Sequence, residues 1–108
     1  MNIKIKNKKT YQGEGFYIGR PSPLGNPFRI TKTQTREDAI RRYSIWLKEQ
    51  ILHNPDILKT LDGLFSHLIN NQSLTLVCWC SPESCHGDVI KQFLLNKYYH
   101  GEYIIKGD

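Results

Sequence analysis

The residues best suited to chemistry in this chain fall in two short segments. One of them is Cys78-Trp79-Cys80-Ser81-Pro82-Glu83-Ser84-Cys85-His86-Gly87-Asp88. Three thiols and an imidazole there could complete a four-ligand zinc site from Cys78, Cys80, Cys85 and His86. The spacing Cys-x-Cys-x4-Cys-His lacks the paired two-residue knuckle of common structural sites, so no metal or other cofactor is expected. A different chemistry is a single reactive thiol. Cys85 falls where a helix should begin, and a helix N-terminus favours the thiolate. His86 and Asp88 would then serve as general base and orienting acid, which makes Cys85, His86 and Asp88 the catalytic candidates. A third use needs no covalent step: backbone N–H groups from Cys85 to Asp88 could receive an anion, with Gly87 allowing close approach. The plainest reading has the cysteines as packing residues and Ser84 or Asp88 as a helix cap.

The other segment is Gly19-Arg20-Pro21-Ser22-Pro23-Leu24-Gly25-Asn26-Pro27-Phe28. Arg20 offers a planar fork that fits phosphate or carboxylate. Gly25 permits close backbone approach, and the Asn26 amide could hold a base edge or a ribose. The candidate ligand-binding residues are therefore Gly19, Arg20, Ser22, Gly25 and Asn26 from this loop, with Trp79 and Gly87 from the other segment. Phe28 or Trp79 could cover the rest of a nucleotide. The competing reading is a proline-stiffened connector whose Arg20 pairs with Asp88.

The elements that must hold these segments follow from periodicity. Ile3 and Ile5 alternate with Asn2, Lys4 and Lys6, as in a half-exposed strand. Phe16-Tyr17-Ile18 is a second, short strand that stops at Gly19. Thr35 is a helix cap with Glu37 and Asp38 in the first turn, and Ile40, Tyr43, Leu47 and Ile51 follow at helical spacing beside Ala39 and Trp46. Asn54-Pro55 starts another helix, with Ile57, Leu58, Leu61, Leu64, Phe65 and Leu68 as its apolar face. Gly63 weakens that helix without breaking it. Asn70-Asn71-Gln72 is a turn, and Leu74 to Cys80 is a nearly continuous apolar run, as in a central strand covered on both faces. Val89, Ile90, Phe93, Leu94 and Lys97 mark a third helix, and Tyr103-Ile104-Ile105 a closing strand. This order predicts a small three-layer α/β fold with a short, mainly parallel sheet, read as one domain over 1–108. In such sheets ligands bind beyond the carboxyl ends of the strands, which is where both chemical segments lie.

Composition narrows the classes. The 108 residues are 39% hydrophobic and 23% charged, an ordinary globular balance. No apolar run is long enough to span a membrane, so no membrane partner is expected. The start, Met1-Asn2-Ile3-Lys4-Ile5-Lys6, lacks the apolar core of a secretory signal. Three cysteines confined to Cys78–Cys85 suit a reducing cytoplasm better than a disulfide scaffold. The net charge of +5 gathers at Lys4, Lys6, Lys8 and Lys9 and at Arg36, Arg41 and Arg42. That distribution favours a nucleotide, a nucleic acid or a phosphorylated metabolite as partner.

The same stretches carry a family resemblance. Tyr17-Ile18-Gly19-Arg20-Pro21-Ser22-Pro23-Leu24-Gly25-Asn26-Pro27-Phe28 is followed by Arg36-Glu37-Asp38-Ala39-Ile40 with Tyr43 and Trp46-Leu47. Cys78-Trp79-Cys80, Pro82 and Cys85-His86-Gly87-Asp88-Val89-Ile90 complete the pattern, over about 16–95. It resembles a family of small bacterial and phage proteins catalogued only as domain of unknown function 4326, in which a tryptophan often stands at the place of Leu24. The resemblance implies a Rossmann-like α/β domain and an association with nucleotide or nucleic-acid processing; it implies no reaction. The expectation is thus a cytoplasmic protein, in the host cytoplasm if phage-encoded, that binds or processes a nucleotide-like or other phosphorylated ligand between 19–28 and 80–88. The alternative is a non-catalytic, zinc-stabilised module for nucleic acid or protein, including a phage-type protein that sequesters a nucleotide.

Overall fold

The computed structural model describes residues 1–79 and 85–105. Among these, strand β1 (Asn2–Asn7) and the short β2 (Phe16–Tyr17) precede α1 (Arg36–His53) and α2 (Pro55–Asn71), and β3 (Ser73–Cys78) leads to α3 (His86–His100). The sheet order is β1-β3-β2 with both pairings parallel, Ile3 opposite Leu74 and Tyr17 opposite Val77. The fold is therefore a small α/β one with a short parallel sheet. The most apolar strand takes the centre, as its composition demands.

Local chemistry sets the helix ends. The Thr35 hydroxyl accepts the Asp38 N–H at 3.1 Å, and the Arg41 guanidinium meets the Asp38 carboxylate at 3.5 Å. The hydrogen bonds from Thr35 and Arg41 hold the Asp38 carboxyl below its usual range. Asn54 closes α1 and caps α2, its side chain accepting the Asp56 N–H at 3.1 Å. The helix α2 runs on through Asn70 and Asn71, where composition predicts a turn; Gln72, with φ of 57°, makes the left-handed exit.

Packing follows strand alternation. Ile3, Leu74, Leu76 and Cys78 share one core with Tyr43 and Leu47 of α1, Leu61 and Leu68 of α2, and Ile90 and Leu94 of α3. The helices thus take one face of the sheet. On the opposite face, Lys4 and Lys6 are exposed, and Gly15, ending the connection from β1 to β2, lies against Thr75 and Val77. No described helix covers that face, so among the described residues the expected three layers reduce to the sheet and one layer of helices. Tyr103-Ile104-Ile105 does not form the expected closing strand. Gly101 turns the chain at φ 81°, and side chains hold the segment beyond it. The Tyr103 hydroxyl donates to Asp62 at 2.7 Å, and Asn96 donates to the Tyr103 carbonyl at 3.0 Å. No described helix is long and apolar enough to cross a membrane.

Gly63 sits inside α2 with open space where a Cβ would stand. Gly63→Ala is therefore expected to stabilise the fold by about 0.5–1 kcal/mol, read as a higher urea midpoint at unchanged m-value.

Candidate functional site

A cleft of about 500 Å³ opens beyond the carboxyl ends of β2 and β3. Gly19, Arg20, Asn26, Phe28 and Arg29 line it from the long loop, and Arg36, Ala39 and Ile40 from the first turns of α1. Tyr17, Trp79, Cys85 and His86 close the other side. The two segments singled out by their chemistry thus meet at one end of the sheet.

The contact that joins them is made by His86. Its Nε2 lies 2.6 Å from the carbonyl oxygen of Ile18, and since a carbonyl can only accept, Nε2 carries the proton. The ring is 5% exposed and packs edge-on against Tyr43 at 5.0 Å. Burial pushes the imidazole pKa down, assisted by the Arg20 charge; the Ile18 bond and the charges of Cys78 and Asp88 act in the opposite direction. Burial dominates, and the group is a neutral donor.

Tyr43 fixes the loop from below. Fully buried, it donates its hydroxyl to the Leu24 carbonyl at 2.7 Å, and burial drives its phenol well above the ordinary value. Leu24 itself is buried in the core. The loop also bonds to itself: Ser22 N–H to the Gly19 carbonyl at 2.8 Å and Gly25 N–H to the Ser22 carbonyl at 2.9 Å. A Cβ on Gly25 would stand 3.0 Å from the Arg20 backbone, so that glycine lets the loop close on Arg20. Neither Ser22 nor Gly25 borders the cleft. Asn26 does, while its Oδ1 accepts the Phe28 N–H at 2.8 Å. The Arg20–Pro21 peptide is cis.

The start of α3 is held by capping contacts. Cys85 is its cap: Gly87 N–H reaches Cys85 Sγ at 3.3 Å, and the Asp88 carboxylate accepts the Cys85 N–H at 3.0 Å. The Asp88 N–H is taken by the Cys85 carbonyl at 3.0 Å. These bonds occupy the N–H groups of Cys85, Gly87 and Asp88, three of the four expected to receive an anion. Gly87 is packed inward, where a Cβ would come 3.1 Å from Ile18 and 3.3 Å from Ile5. Asp88 borders a different groove, with Ser44 and Gln92. It neither orients His86 nor pairs with Arg20, so Cys85, His86 and Asp88 do not form a relay. Cys78 and Cys85 are buried with their sulfurs 3.4 Å apart. Cys80 and the rest of the turn, 81–84, lie outside the described residues; among those described, no three ligands converge on a metal position.

What the cleft does hold is positive charge beside aromatic rings. Arg20, Arg29 and Arg36 all line it, with Tyr17, Phe28 and Trp79, and among the described residues no Asp or Glu does. Trp79 is 56% exposed and donates its indole N–H to the Tyr17 hydroxyl at 3.0 Å; that hydroxyl donates onward to the Arg20 carbonyl at 2.6 Å. Residue type and spacing alone do not single out Arg29, Arg36 and Tyr17 as site residues. Arg29 directly follows the loop whose composition ends at Phe28, and Arg36 reads in sequence only as part of a basic helix. Its place at the first position of α1, beneath that loop, is the signal that points to it.

The family described as a domain of unknown function (DUF4326) matches residues 1–96. Neither a curated protein nor a solved structure matches the chain.

The lowered imidazole pKa has a defined consequence. Unfolded His86 titrates near 6.5, so below that pH the unfolded chain binds more protons than the folded one. The stability it confers is complete above 6.5 and is lost as pH falls from there toward the lower folded-state value. Urea midpoints measured from pH 7.5 to 5 should fall with pH in the wild type. In His86→Gln, which retains an N–H for Ile18, the fall should be smaller.

Proposed function

We infer, for a chain that belongs to the family described as a domain of unknown function (DUF4326), that the cleft binds a nucleotide-like or other phosphorylated ligand. One observation carries this reading: Arg20, Arg29 and Arg36 share a cleft with Tyr17, Phe28 and Trp79, and no acid is among the described lining residues. Arg20 is exposed and has no carboxylate partner among the described residues, so an anion in the cleft would meet its charge. Guanidinium forks match phosphate oxygens, and the aromatic faces fit a planar base. The cleft volume falls in the range of small-molecule sites.

The support is for binding rather than turnover. Cys85 caps a helix, His86 holds Ile18, and Asp88 holds Cys85. Each of the residues considered for catalysis already has a structural partner. The clustering of all three cysteines within Cys78–Cys85 supports a cytoplasmic setting.

Arg20 is exposed, and its guanidinium has no carboxylate partner among the described residues. Its removal should therefore leave the fold intact. Titration calorimetry against nucleoside mono-, di- and triphosphates at fixed salt should find a ligand for the wild type. Arg20→Ala should weaken it by about ten-fold or more, the 1.5–3 kcal/mol of a charged hydrogen bond. Wild-type protein that binds none of the panel sinks the reading.

A further inference from the structure

The sheet face turned away from the helices carries a pattern that packing does not require. Alternation along β1 sends Ile3 and Ile5 to the core side and Lys4 and Lys6 to this face, where both are exposed. The pairing sets Lys6 beside Val77, and Val77 beside Tyr17. Lys8 continues the row beyond β1. Its backbone N–H bonds to the Cys78 carbonyl at 2.7 Å, and its ammonium reaches across to sit 5.0 Å above the Tyr17 ring. Trp79, largely exposed, is hydrogen-bonded to the same Tyr17. A row of lysines, spaced about 6.6 Å apart by the strand rise, thus ends at an aromatic pair that also lines the arginine cleft.

Edge strands commonly carry lysine to prevent pairing with other chains. That accounts for Lys4 and Lys6 taken alone. It does not account for an indole left in solvent at the end of the row, or for continuity with the cleft.

We propose that this face is a track for single-stranded nucleic acid, one nucleotide of which occupies the cleft. The proposal rests on the reading of the cleft as a nucleotide site and names the class of ligand it takes. Basic rows that follow a backbone, combined with aromatic faces on which a base can stack, are how single strands are held without sequence preference. A duplex keeps its bases stacked on one another and offers none to Trp79. The charge pattern and the exposed ring together favour the single strand.

The test is fluorescence anisotropy with a labelled 12-nucleotide single strand of mixed sequence, alongside calorimetry with the tightest mononucleotide of the panel. Three outcomes are expected. The single strand binds at least ten-fold more tightly than the mononucleotide. Lys4→Glu/Lys6→Glu weakens the single strand by about ten-fold and lowers the slope of log K against log salt by about 1.4, from 0.7 per lost phosphate contact. The same variant leaves the mononucleotide affinity unchanged. Circular dichroism melts establish that the variant is folded, as two exposed side chains require. Mononucleotide binding that persists while the single strand gains nothing, or while the lysine variant binds it like wild type, overturns the track and leaves the cleft reading standing. Equal affinity for a duplex of the same sequence also overturns it. Absence of binding to either probe overturns both.

Discussion

One buried hydrogen bond, from His86 Nε2 to the Ile18 carbonyl, decides how the two ends of the site meet. Ile18 is the last residue to bond along β2, through its N–H to the Val77 carbonyl at 2.9 Å, and after it the chain must leave the sheet. A buried carbonyl without a donor at that point would cost about 1–3 kcal/mol. His86, the first residue of α3, supplies the donor and so fixes where that helix starts relative to the strand edge. Gly87 makes the approach sterically feasible, because its position against Ile5 and Ile18 has little room for a Cβ. The segment Cys85-His86-Gly87-Asp88 is thereby a joint: a cap, a latch, a close contact and a second cap.

The same joint shows why the fold is more legible in the sequence than the site. The helix boundaries depend on local chemistry, Thr35 and Asn54 as caps and Pro55 in the first turn, and the apolar stripes mark their buried faces directly. The parallel sheet follows from an apolar Leu74–Cys78 run between helices. Tyr103 to Ile105 misleads because β-branched and aromatic composition reports burial, and here burial comes from the Asp62 and Asn96 contacts rather than a ladder. At the site, residue type points to Cys85, His86 and Asp88, but role depends on direction. A histidine beside a cysteine reads the same in sequence whether its ring faces the thiol or a carbonyl 68 residues away. Arg20 and Arg36 belong to one cleft only because the loop folds back over the start of α1, and no local pattern displays that.

The loop itself is held by means that a sequence does not display. Tyr43 belongs to the apolar stripe of α1 by spacing, yet its hydroxyl carries the bond to Leu24 that seats the loop on the core. Its ring touches both Trp46 and His86. A single side chain thus couples α1, the loop and the start of α3. Leucine at position 24 is consistent with this seat: the side chain is in the core, and its carbonyl, not its side chain, makes the polar contact.

Closing the α3 terminus on itself has an electrostatic consequence. With the Gly87 and Asp88 N–H groups bonded to Cys85, those two main-chain donors are taken, and in the function proposed above the arginine side chains meet the anion. Those side chains hold permanent charge, so a histidine in the same cleft that also became charged would add to their mutual repulsion. Burial and the Arg20 field both keep His86 neutral, which adds no further charge to the cleft. Asp88 is the acid of the first turn of α3; it accepts the Cys85 N–H and borders a groove other than the one Arg20 lines. The carboxylate that caps the helix thus lies away from the arginine cleft, and one arrangement of four residues sets both the joint and the side on which its acid falls.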